Sequence, residues 1–361
     1  MCNNGRGNDR GNTKGQEAMA GRKVVTSRDV AREAGVSRSA VSRAFTEGAS
    51  VSERTRQRVL AAAWKLGYSP NALARGLITQ RSNMVGLVMA DITNPFYAKV
   101  LESFSEKLQS VGQRVLLFSI AKVHDIDQAL PALLQYQVDG VIITSAVLSS
   151  AMAETCAKTG KPVILFNRYV RETTTSAVCT DNVAAGRRVA DLLLDAGHRR
   201  CAFIAGTANT STSNDRQRGF LDRLAARGAP PPLVDRGDYR YGGGFAAAER
   251  LFTRDDPPDA VFCANDVMAM GAMDLIRRVR GLRVPDDVSV IGFDGIAASG
   301  WPSFDLTTME QQVERMTDEA MEILMARIAD PALPPETRFV PARLVARTSA
   351  RLPREALAAA S

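Results

Sequence analysis

The N-terminal part of the chain takes its architecture from residues 25–45, which read VTSRDVAREAGVSRSAVSRAF. Thr26 or Ser27 is suited to cap the start of a short helix, and Gly35 is suited to end it. Ser37 is suited to cap a second helix. The apolar faces of the two helices repeat with helical spacing: Val30, Ala31 and Ala34, then Ala40, Val41, Ala44 and Phe45. Two short helices joined by a glycine turn are therefore predicted.

A third helix is predicted beyond the turn at residues 47–50. Ser52 can cap its start and Gly67 can end it. Its apolar face is predicted from the same spacing: Val59, Leu60, Ala63, Trp64 and Leu66. Three short helices with a glycine-containing turn between the first two form the helix-turn-helix pattern. In this pattern the second helix enters the major groove of DNA.

Positive charge is concentrated in the same part of the chain. The 361 residues carry 46 Lys and Arg against 39 Asp and Glu, a formal net charge of +7. Residues 1–81 hold fifteen Lys and Arg against six Asp and Glu, so this part carries +9 and the remainder −2. Residues 1–22 are polar, lack hydrophobic periodicity and are predicted to be a disordered basic extension. The asymmetry predicts a polyanion as the partner of the N-terminal part.

The pattern changes at residue 84, where short apolar runs begin to alternate with amphipathic segments. This alternation predicts parallel strands covered by helices. About 280 residues of it fit two doubly wound subdomains, with the first crossing between them near residues 166–169. The predicted strands are the apolar runs 84–90, 115–120, 140–144, 163–166, 201–205, 260–263 and 288–292.

The composition offers little to a metal or a cofactor. Five dispersed Cys form no CxxC pair and the chain has only two His, so neither a metal site nor a cofactor is predicted. Buried thiols in a reducing cytoplasm are expected. Residues 1–20 lack the apolar core of a signal peptide, and no segment approaches the roughly 20 apolar residues of a membrane span. A cytoplasmic location without membrane contact is expected.

The second predicted helix carries polar side chains that would reach DNA. Arg38 and Arg43 can each donate two bonds to guanine, with Ser39 and Ser42 beside them. Residues suited to phosphate contacts surround them: Ser27, Arg28, Ser37, Ser42, Arg54 and Asn71. On helix patterning alone, a solvated three-helix bundle with surface arginines is the alternative.

These N-terminal motifs closely resemble the head of the LacI/GalR family of bacterial repressors. The matching segments are 25–37, 41–43, 51–56, 66–68 and 70–71, and the similarity runs from residue 24 to about residue 350. The resemblance implies a regulator that binds operator DNA and a small-molecule effector. A homodimer is expected because one head reads only a half-site. The DNA-contacting residues predicted on these grounds are Thr26, Ser27, Ser37, Arg38, Ser39, Ser42, Arg43, Arg54, Asn71, Ala74, Arg75 and Leu77.

The resemblance continues into a hinge at residues 71–78, which in this family folds only on operator DNA. Leu77 falls where the family inserts a leucine into the minor groove and kinks the duplex. Arg75 is placed for a neighbouring phosphate or base. Arg38 and Ala40 depart from the family, in which an aromatic residue and Thr are frequent there. Because of these departures, the resemblance does not predict the outer bases of the operator.

Polar and aromatic residues follow the predicted strands of the body, and the carboxyl ends of parallel strands form a crevice for ligands. The candidates are Asp91, Asn94, Phe96, Tyr97, Arg168, Arg216, Tyr239, Asn265 and Asp294. Aromatic rings surrounded by Asn, Asp and Arg suit a polyhydroxylated ligand. Taken singly, each residue has an ordinary alternative as a helix cap or a surface charge, and Asn265 would be a good cap.

Several of these candidates coincide with family landmarks of the effector pocket. The resemblance implies that Arg216 clamps ligand oxygens and that Asp294 and Asn265 bond ligand hydroxyls. It also implies that the rings of Phe96 and Tyr239 stack on the ligand. Asn167 stands where Asp is common. A sugar or sugar derivative is the expected effector, with a nucleoside or another polyol as the alternative. Asp181–Asn182 and Gly197–His198 also match the family and are expected to be mainly structural.

The predicted fold is an all-α helix-turn-helix head with a hinge helix, followed by a two-lobed α/β domain of the periplasmic-binding-protein type. The segments are an extension at 1–22, the DNA-binding domain at 23–69, the hinge and linker at 70–83, the effector-binding and dimerisation domain at 84–350 and a tail at 351–361. A sugar-binding transport component would share the body but not the head. No enzyme is predicted, because the chain contains no GxxxxGK[ST], HExxH or GxSxG motif.

Overall fold

The computed structural model describes residues 25–46, 48–69, 82–89, 91–119, 131, 133–144, 158–170, 175–208 and 210–356. The chain divides into two compact units, residues 1–80 and residues 81–361. We call the first unit the head and the second the body, and describe each by itself. The predicted boundaries of the extension, the hinge and the linker fall in or beside residues outside this set and stay predictions.

The described part of the head contains helices α1 (Ser27–Ala34), α2 (Arg38–Ala44) and α3 (Glu53–Leu66). Thr26 is the N-cap of α1, and Gly35 ends that helix with a left-handed φ of 61°. Ser37 and Ser52 accept hydrogen bonds from the first turns of α2 and α3. The three predicted helices are thus confirmed with their caps. Their common core is built on three fully buried valines: Val30, Val41 and Val59.

The predicted apolar face of α3 is wrong in part. Trp64 is 90% exposed and Leu60 is 39% exposed, whereas Ala62 and Ala63 are buried. The face of α3 that packs against the other helices follows the spacing of residues 59, 62, 63 and 66. Trp64 lies about 100° around the helix from Ala63 and therefore points away from this face.

The body is built on two six-stranded sheets. In chain order the strands are β1 (Met84–Met89), β2 (Arg114–Ser119), β3 (Gly140–Ile143), β4 (Val163–Phe166), β5 (Ser176–Thr180), β6 (Cys201–Ala205), β7 (Leu233–Arg236), β8 (Ala260–Cys263), β9 (Ser289–Asp294), β10 (Thr307–Glu310), β11 (Thr337–Val340) and β12 (Arg343–Val345). The first sheet has the order β11-β5-β4-β3-β1-β2, and the second has the order β12-β10-β9-β8-β6-β7. Every pairing is parallel except that of β10 with β12. Each sheet forms the centre of one lobe.

Helices connect these strands and cover the sheets. Those in the described part of the body are α4 (Pro95–Ser110), α5 (Asn182–Asp195), α6 (Ser211–Ala226), α7 (Tyr241–Phe252), α8 (Asp266–Asp274) and α9 (Val313–Ala329). A π-helical turn at Leu275–Val279 continues α8, and a 3₁₀ turn spans Ala297–Gly300. The two-lobed α/β architecture predicted from the sequence is confirmed.

The predicted first crossing between the lobes is wrong. Beyond residues 166–169 the chain returns to the first sheet as β5, where Ile164 pairs with Ser176 and Phe166 with Val178. The chain enters the second lobe only after Thr180. It returns through α9 after β10, and it crosses a third time between β11 and β12. Three crossings close together at one side leave the carboxyl ends of the strands of the two sheets facing a shared cleft.

Seven of the twelve strands lie where apolar runs predicted them, with ends shifted by at most two residues. The strands that the sequence did not predict are β5, β7, β10, β11 and β12. Three of the five cysteines fall within the described residues, and all three are buried free thiols. Within the described ranges, no helix combines the length and apolar character needed to span a bilayer.

Candidate functional site

A cavity of about 520 Å³ lies between the two lobes of the body. Eight of the nine predicted effector-binding residues line it: Asp91, Asn94, Phe96, Tyr97, Arg168, Arg216, Tyr239 and Asp294. The first five come from the first lobe and the other three from the second. The volume lies in the range of small-molecule sites, about 300–1,000 Å³. The structure therefore brings residues 200 positions apart in the sequence to one concave surface.

The wall from the first lobe is formed by the start of α4. Asn94 caps this helix by accepting a hydrogen bond of 3.1 Å from the backbone N–H of Phe96. The rings of Phe96 and Tyr97 meet edge to face, with centroids 5.2 Å apart. Burial raises the pKa of Tyr97, which keeps its hydroxyl protonated. Asp91 accepts hydrogen bonds from the backbone N–H and the hydroxyl of Thr93 at the mouth of the cavity.

Arg216 forms the base of the wall from the second lobe and is only 2% exposed. Its Nε donates to Asn182 Oδ1 at 2.7 Å, and its Nη1 donates to the backbone oxygen of Ala264. Nη1 also lies 3.5 Å from Asp294 Oδ1, and the guanidinium carbon sits 3.5 Å from the centroid of the Phe293 ring. These contacts fix three sides of the guanidinium group and leave Nη2 without a partner in the described chain.

Close packing of α5 on α6 positions Arg216. A Cβ atom at Gly186 would lie 2.4 Å from the backbone oxygen of Arg216, and one at Gly219 would lie 2.2 Å from that of Val183. Both distances are too short for any side chain, so glycine is required for this approach. The contact brings Asn182, at the start of α5, within hydrogen-bond distance of Arg216. Asn182 was expected to be mainly structural, and it does support the base of the cleft.

Asp294 ends β9 in an unusual backbone conformation, with a φ of 110°. Burial raises the pKa of Asp294 to about 6, against the opposing charge of Arg216. The turn that follows is held by Asp266, whose Oδ2 accepts from the N–H groups of Gly295 and Ile296 at 2.8 and 2.9 Å. Backbone strain of this kind persists where surrounding contacts over-determine it, commonly at ligand sites.

Tyr239 enters the cavity from the loop after β7, with a left-handed φ of 61°. A Cβ atom at Gly206 would lie 2.1 Å from the Tyr239 ring, so this glycine makes room for it. The Tyr239 hydroxyl lies 3.1 Å from Thr212 Oγ1 on α6. The ring therefore has a fixed position across the cavity from Phe96.

Asn265 is the one predicted effector residue outside the cavity lining. It is fully buried, and its Oδ1 accepts a hydrogen bond of 2.9 Å from the backbone N–H of Met268 as the N-cap of α8. The side-chain oxygen of Asn265 therefore acts as a helix cap, the alternative predicted for this residue. Its Nδ2 has no partner among the described residues.

Other residues of the cavity wall were not among the predicted site residues. They are Thr93, Pro95, Asn167, Thr207, Thr212, Asp238, Arg240, Tyr241 and Val267. Three of them flank Tyr239 after β7, and β7 carried too few apolar residues to be predicted as a strand. Among the described residues, no group of three or more His, Cys, Asp or Glu could hold a metal ion.

The head presents most of its predicted DNA-contacting side chains to solvent. Thr26, Ser37, Arg38, Ser39, Ser42, Arg43 and Arg54 are exposed, and Ser27 is half-buried. Ser37 also caps α2 by accepting from Ala40 N–H at 3.2 Å. Two further arginines, Arg56 and Arg58, donate instead to the backbone oxygens of Ala44 and Ala34 at the ends of α2 and α1. The remaining predicted contacts lie outside the described residues: Asn71, Ala74, Arg75 and Leu77.

Comparison with known proteins matches both units. The model of the lacI family of bacterial regulatory proteins matches residues 26–71, and that of a periplasmic binding protein-like domain matches residues 190–350. The chain is 30% identical to the probable HTH-type transcriptional repressor ExuR of Bacillus subtilis over 335 residues, 91% of this chain and 99% of ExuR. The chain belongs to the LacI family. It is also 30% identical to the HTH-type transcriptional repressor CytR of Escherichia coli, over 91% of this chain and 97% of CytR.

Solved structures of LacI-family proteins agree with this assignment. The lac repressor dimer bound to operator and the anti-inducer ONPF is 27% identical, with a TM-score of 0.83 over 91% of this chain and 99% of that one. The complex of the transcriptional regulator CelR with cellobiose is 31% identical, with a TM-score of 0.69 over 90% of this chain and 99% of that one. As a LacI-family protein, the chain is a DNA-binding transcriptional regulator. The relatives named above are regulators of transcription, not enzymes or transport components.

Proposed function

We propose that this LacI-family regulator is a homodimeric repressor whose operator binding is controlled by a polyhydroxylated small molecule in the cleft of the body. The observation that carries the proposal is the convergence of eight side chains, chosen from the sequence, on one cavity of about 520 Å³ between the lobes. The relatives ExuR and CytR are repressors by name, which supports the direction of control.

The chemistry of the cavity suits a sugar or sugar derivative. Phe96 and Tyr239 line the cavity with aromatic rings, which suit the apolar side of a sugar, and Arg216 and Asp294 line it with a donor and an acceptor for its hydroxyls. Nucleosides present similar hydroxyls and a flat base, so they form the second ligand class to test. A ligand that binds the closed arrangement of the two lobes more tightly than the open one shifts the equilibrium toward the closed arrangement. If the two arrangements differ in affinity for DNA, the ligand alters operator binding.

For the contact with DNA, we propose that α2 reads bases through Arg38 and Arg43. The residues proposed to contact phosphates are Thr26, Ser27, Ser37 and Arg54. Asn71, Ala74, Arg75 and Leu77 would complete the contact at the centre of the operator. Because one head reads only a half-site, two chains are required to bind a palindromic operator.

The test begins with a thermal-shift screen of sugars, sugar acids, sugar phosphates and nucleosides, since a ligand of the folded state raises the unfolding temperature. A binding site selected from random DNA then serves as operator, and each hit is titrated into the protein–DNA complex. We expect a hit to change operator affinity at least tenfold. The direction of that change identifies the ligand as inducer or corepressor.

A pair of variants on α6 makes the test specific. Arg216→Gln should remove the effect of the ligand and leave operator binding without ligand intact. Arg223→Gln should behave as wild type, because Arg223 lies on the same helix but outside the cavity lining, where it pairs with Asp191 of α5. Ligand binding by Arg216→Gln with unchanged affinity, or hits that bind without changing operator affinity, would contradict the proposed role of the cleft.

A further inference from the structure

Arg168 differs from Arg216, which lies beside Asp294, in having no ion-pair partner among the described residues. It follows Asn167 at the end of β4 and lines the cavity from the first lobe. Its Nε and Nη1 atoms are buried, and neither has a hydrogen-bond partner within the described ranges. A buried charge without a partner is costly in a folded protein and is retained mainly where a ligand supplies the partner.

The neighbouring carboxylates are already engaged or lie at the surface. Asp215 pairs with Arg218 at 2.9 Å and accepts a hydrogen bond of 2.6 Å from the Tyr169 hydroxyl. Asp294 is next to Arg216. Asp91 and Asp238 are exposed at the mouth of the cavity, as is Arg240. The charged cavity residues that are not exposed are therefore the half-buried Arg168 and the buried Arg216 and Asp294, with a net charge of +1 when Asp294 is ionised.

Asn167 does not offset this excess of positive charge, because its side chain is neutral. It is 5% exposed and has a left-handed φ of 61°, and its side chain is a neutral amide directly beside Arg168. Its Oδ1 has no partner in the described chain, and the same holds for Arg216 Nη2 and Asn265 Nδ2. Two of these atoms belong to residues that line the cavity, Asn167 Oδ1 as an acceptor and Arg216 Nη2 as a donor, and both suit hydroxyl groups. They accompany the two unpartnered N–H groups of Arg168.

We propose that the effector is an acidic sugar derivative, a polyol carrying one carboxylate or phosphate, and that Arg168 binds this oxyanion. The free N–H groups of this guanidinium group can donate charge-assisted hydrogen bonds to the oxygens of either anion. The inference rests on the proposed effector role of the cleft and narrows its ligand class. It assigns the anion of the ligand to Arg168 on the first lobe, and its hydroxyls to Asn167 Oδ1 beside Arg168 and to Arg216 Nη2 on the opposite wall.

The test is isothermal titration of the full-length protein with matched sets of one sugar: glucose, glucuronate and glucose 6-phosphate, and the same three forms of galactose. We expect wild type to bind one acidic form at least tenfold more tightly than its neutral parent. Arg168→Gln should weaken that form about 10- to 100-fold, as for loss of hydrogen bonds to a charged group. It should change the affinity of the neutral parent less than threefold. Whether uronate or phosphate binds more tightly identifies the anion.

Two controls separate the possible outcomes. Arg240→Gln, at the exposed mouth, should keep the preference for the acidic form, and Arg168→Lys should recover part of it. Without ligand, Arg168→Gln should unfold at the wild-type temperature or above it, because an unpaired buried charge is removed. A drop of several degrees would indicate a structural role for Arg168 and overturn the proposal.

The failure of this proposal differs from the failure of the proposed function. Tighter binding of neutral sugars than of their acids, or equal weakening of both by Arg168→Gln, overturns the role of Arg168 while the cleft remains an effector site. Absence of any unfolding-temperature shift or heat of binding with every member of these sets and of the wider screen contradicts both.

Discussion

Gln311 donates a hydrogen bond of 2.8 Å from its Nε2 atom to Asp294 Oδ1 at the base of the cleft. The same side chain accepts a hydrogen bond of 2.6 Å through Oε1 from the hydroxyl of Thr180. Gln311 is 1% exposed and follows β10, where the chain returns to the first lobe, and Thr180 ends β5, where the chain leaves it. One amide therefore joins a cleft carboxylate to two of the three crossings between the lobes.

The first prediction concerns this amide. Gln311→Met keeps the length of the side chain and removes both hydrogen bonds, so Asp294 loses its shorter hydrogen bond and keeps only the longer one from Arg216. Hydrogen bonds to charged groups contribute about 1.5–3 kcal/mol, and we expect the dissociation constant of the effector to rise at least tenfold. Gln312→Met is the matched control, because Gln312 donates to the backbone oxygen of Pro341 outside the cavity. Calorimetry with any hit from the screen measures both, and equal affinities in the two variants would contradict the role of Gln311.

Much of the fold could be predicted because its elements carry strong local signals. The caps at Ser37 and Ser52 and the glycine at Gly35 fix the ends of the head helices within the chain itself. Strands buried on both faces, such as β6, are continuous apolar runs. The strands that were not predicted are short or half-polar, as in β7, which reads LVDR with alternate residues half-buried and the others exposed. Their place is decided by a neighbouring strand and not by their own composition.

The residues of the cleft could be predicted where they directly follow a predicted strand. Tyr239 could be chosen by its type and position, but Asp238 and Arg240 beside it could not, because the loop conformation brings them to the cavity. Asn265 shows the opposite case, a correct cap signal whose side-chain oxygen serves the helix. The contact of Gln311 with Asp294 joins residues 17 positions apart, and no local pattern indicates it.

The second prediction concerns stability and pH. Burial raises the pKa of Asp266 to about 8 and that of Asp294 to about 6, above their values in the unfolded chain, near 3.9. Such groups favour the folded state most below about pH 4, and this contribution is lost as the pH rises through the folded pKa values. We therefore expect these two groups to lower the unfolding temperature of the body between pH 5 and pH 8.

Asp266→Asn tests this expectation. Its amide can still accept from the N–H groups of Gly295 and Ile296 and donate to Thr308 Oγ1, which contacts Asp266 Oδ1. The variant should show a flatter decline from pH 5 to pH 8 by calorimetry. Asp287→Asn is the control, since the Arg283 guanidinium lowers the pKa of Asp287 and its effect falls at more acid pH. Parallel profiles for wild type and Asp266→Asn would refute the assignment.

The third prediction separates base reading from support in the head. Arg43 is exposed on α2, whereas Arg56 donates to the backbone oxygen of Ala44 at 2.8 Å. Arg43→Ala should weaken the free energy of binding to the selected operator by about 1–3 kcal/mol, as for loss of a bidentate base contact. The unfolding temperature of the head should stay unchanged. Arg56→Ala should lower that temperature. Equal loss of affinity for operator and for unrelated DNA in Arg43→Ala would indicate a phosphate contact instead.

The fourth prediction concerns the first residues of the body. The Asp139 carboxylate is 5% exposed and accepts three hydrogen bonds: from the N–H and hydroxyl of Ser82 at 2.9 and 3.2 Å, and from the N–H of Asn83 at 2.8 Å. These two residues follow residues 71–78, where the family resemblance implies the hinge, with residues 79–81 between them. Asp139 therefore fixes the point at which the body meets the chain leading to the head.

Asp139→Asn should weaken this attachment without altering the cleft. An amide has one acceptor oxygen, so its NH₂ group would face a backbone N–H that also needs an acceptor, which costs about 1–3 kcal/mol. We expect operator affinity to fall at least threefold while the affinity for the effector stays within twofold of wild type. Ser82→Ala removes only the hydroxyl bond and should give a smaller loss of operator affinity. Fluorescence anisotropy with the selected operator and calorimetry with the effector measure the two quantities, and a parallel loss of both would mean that Asp139 supports the whole first lobe and not the attachment alone.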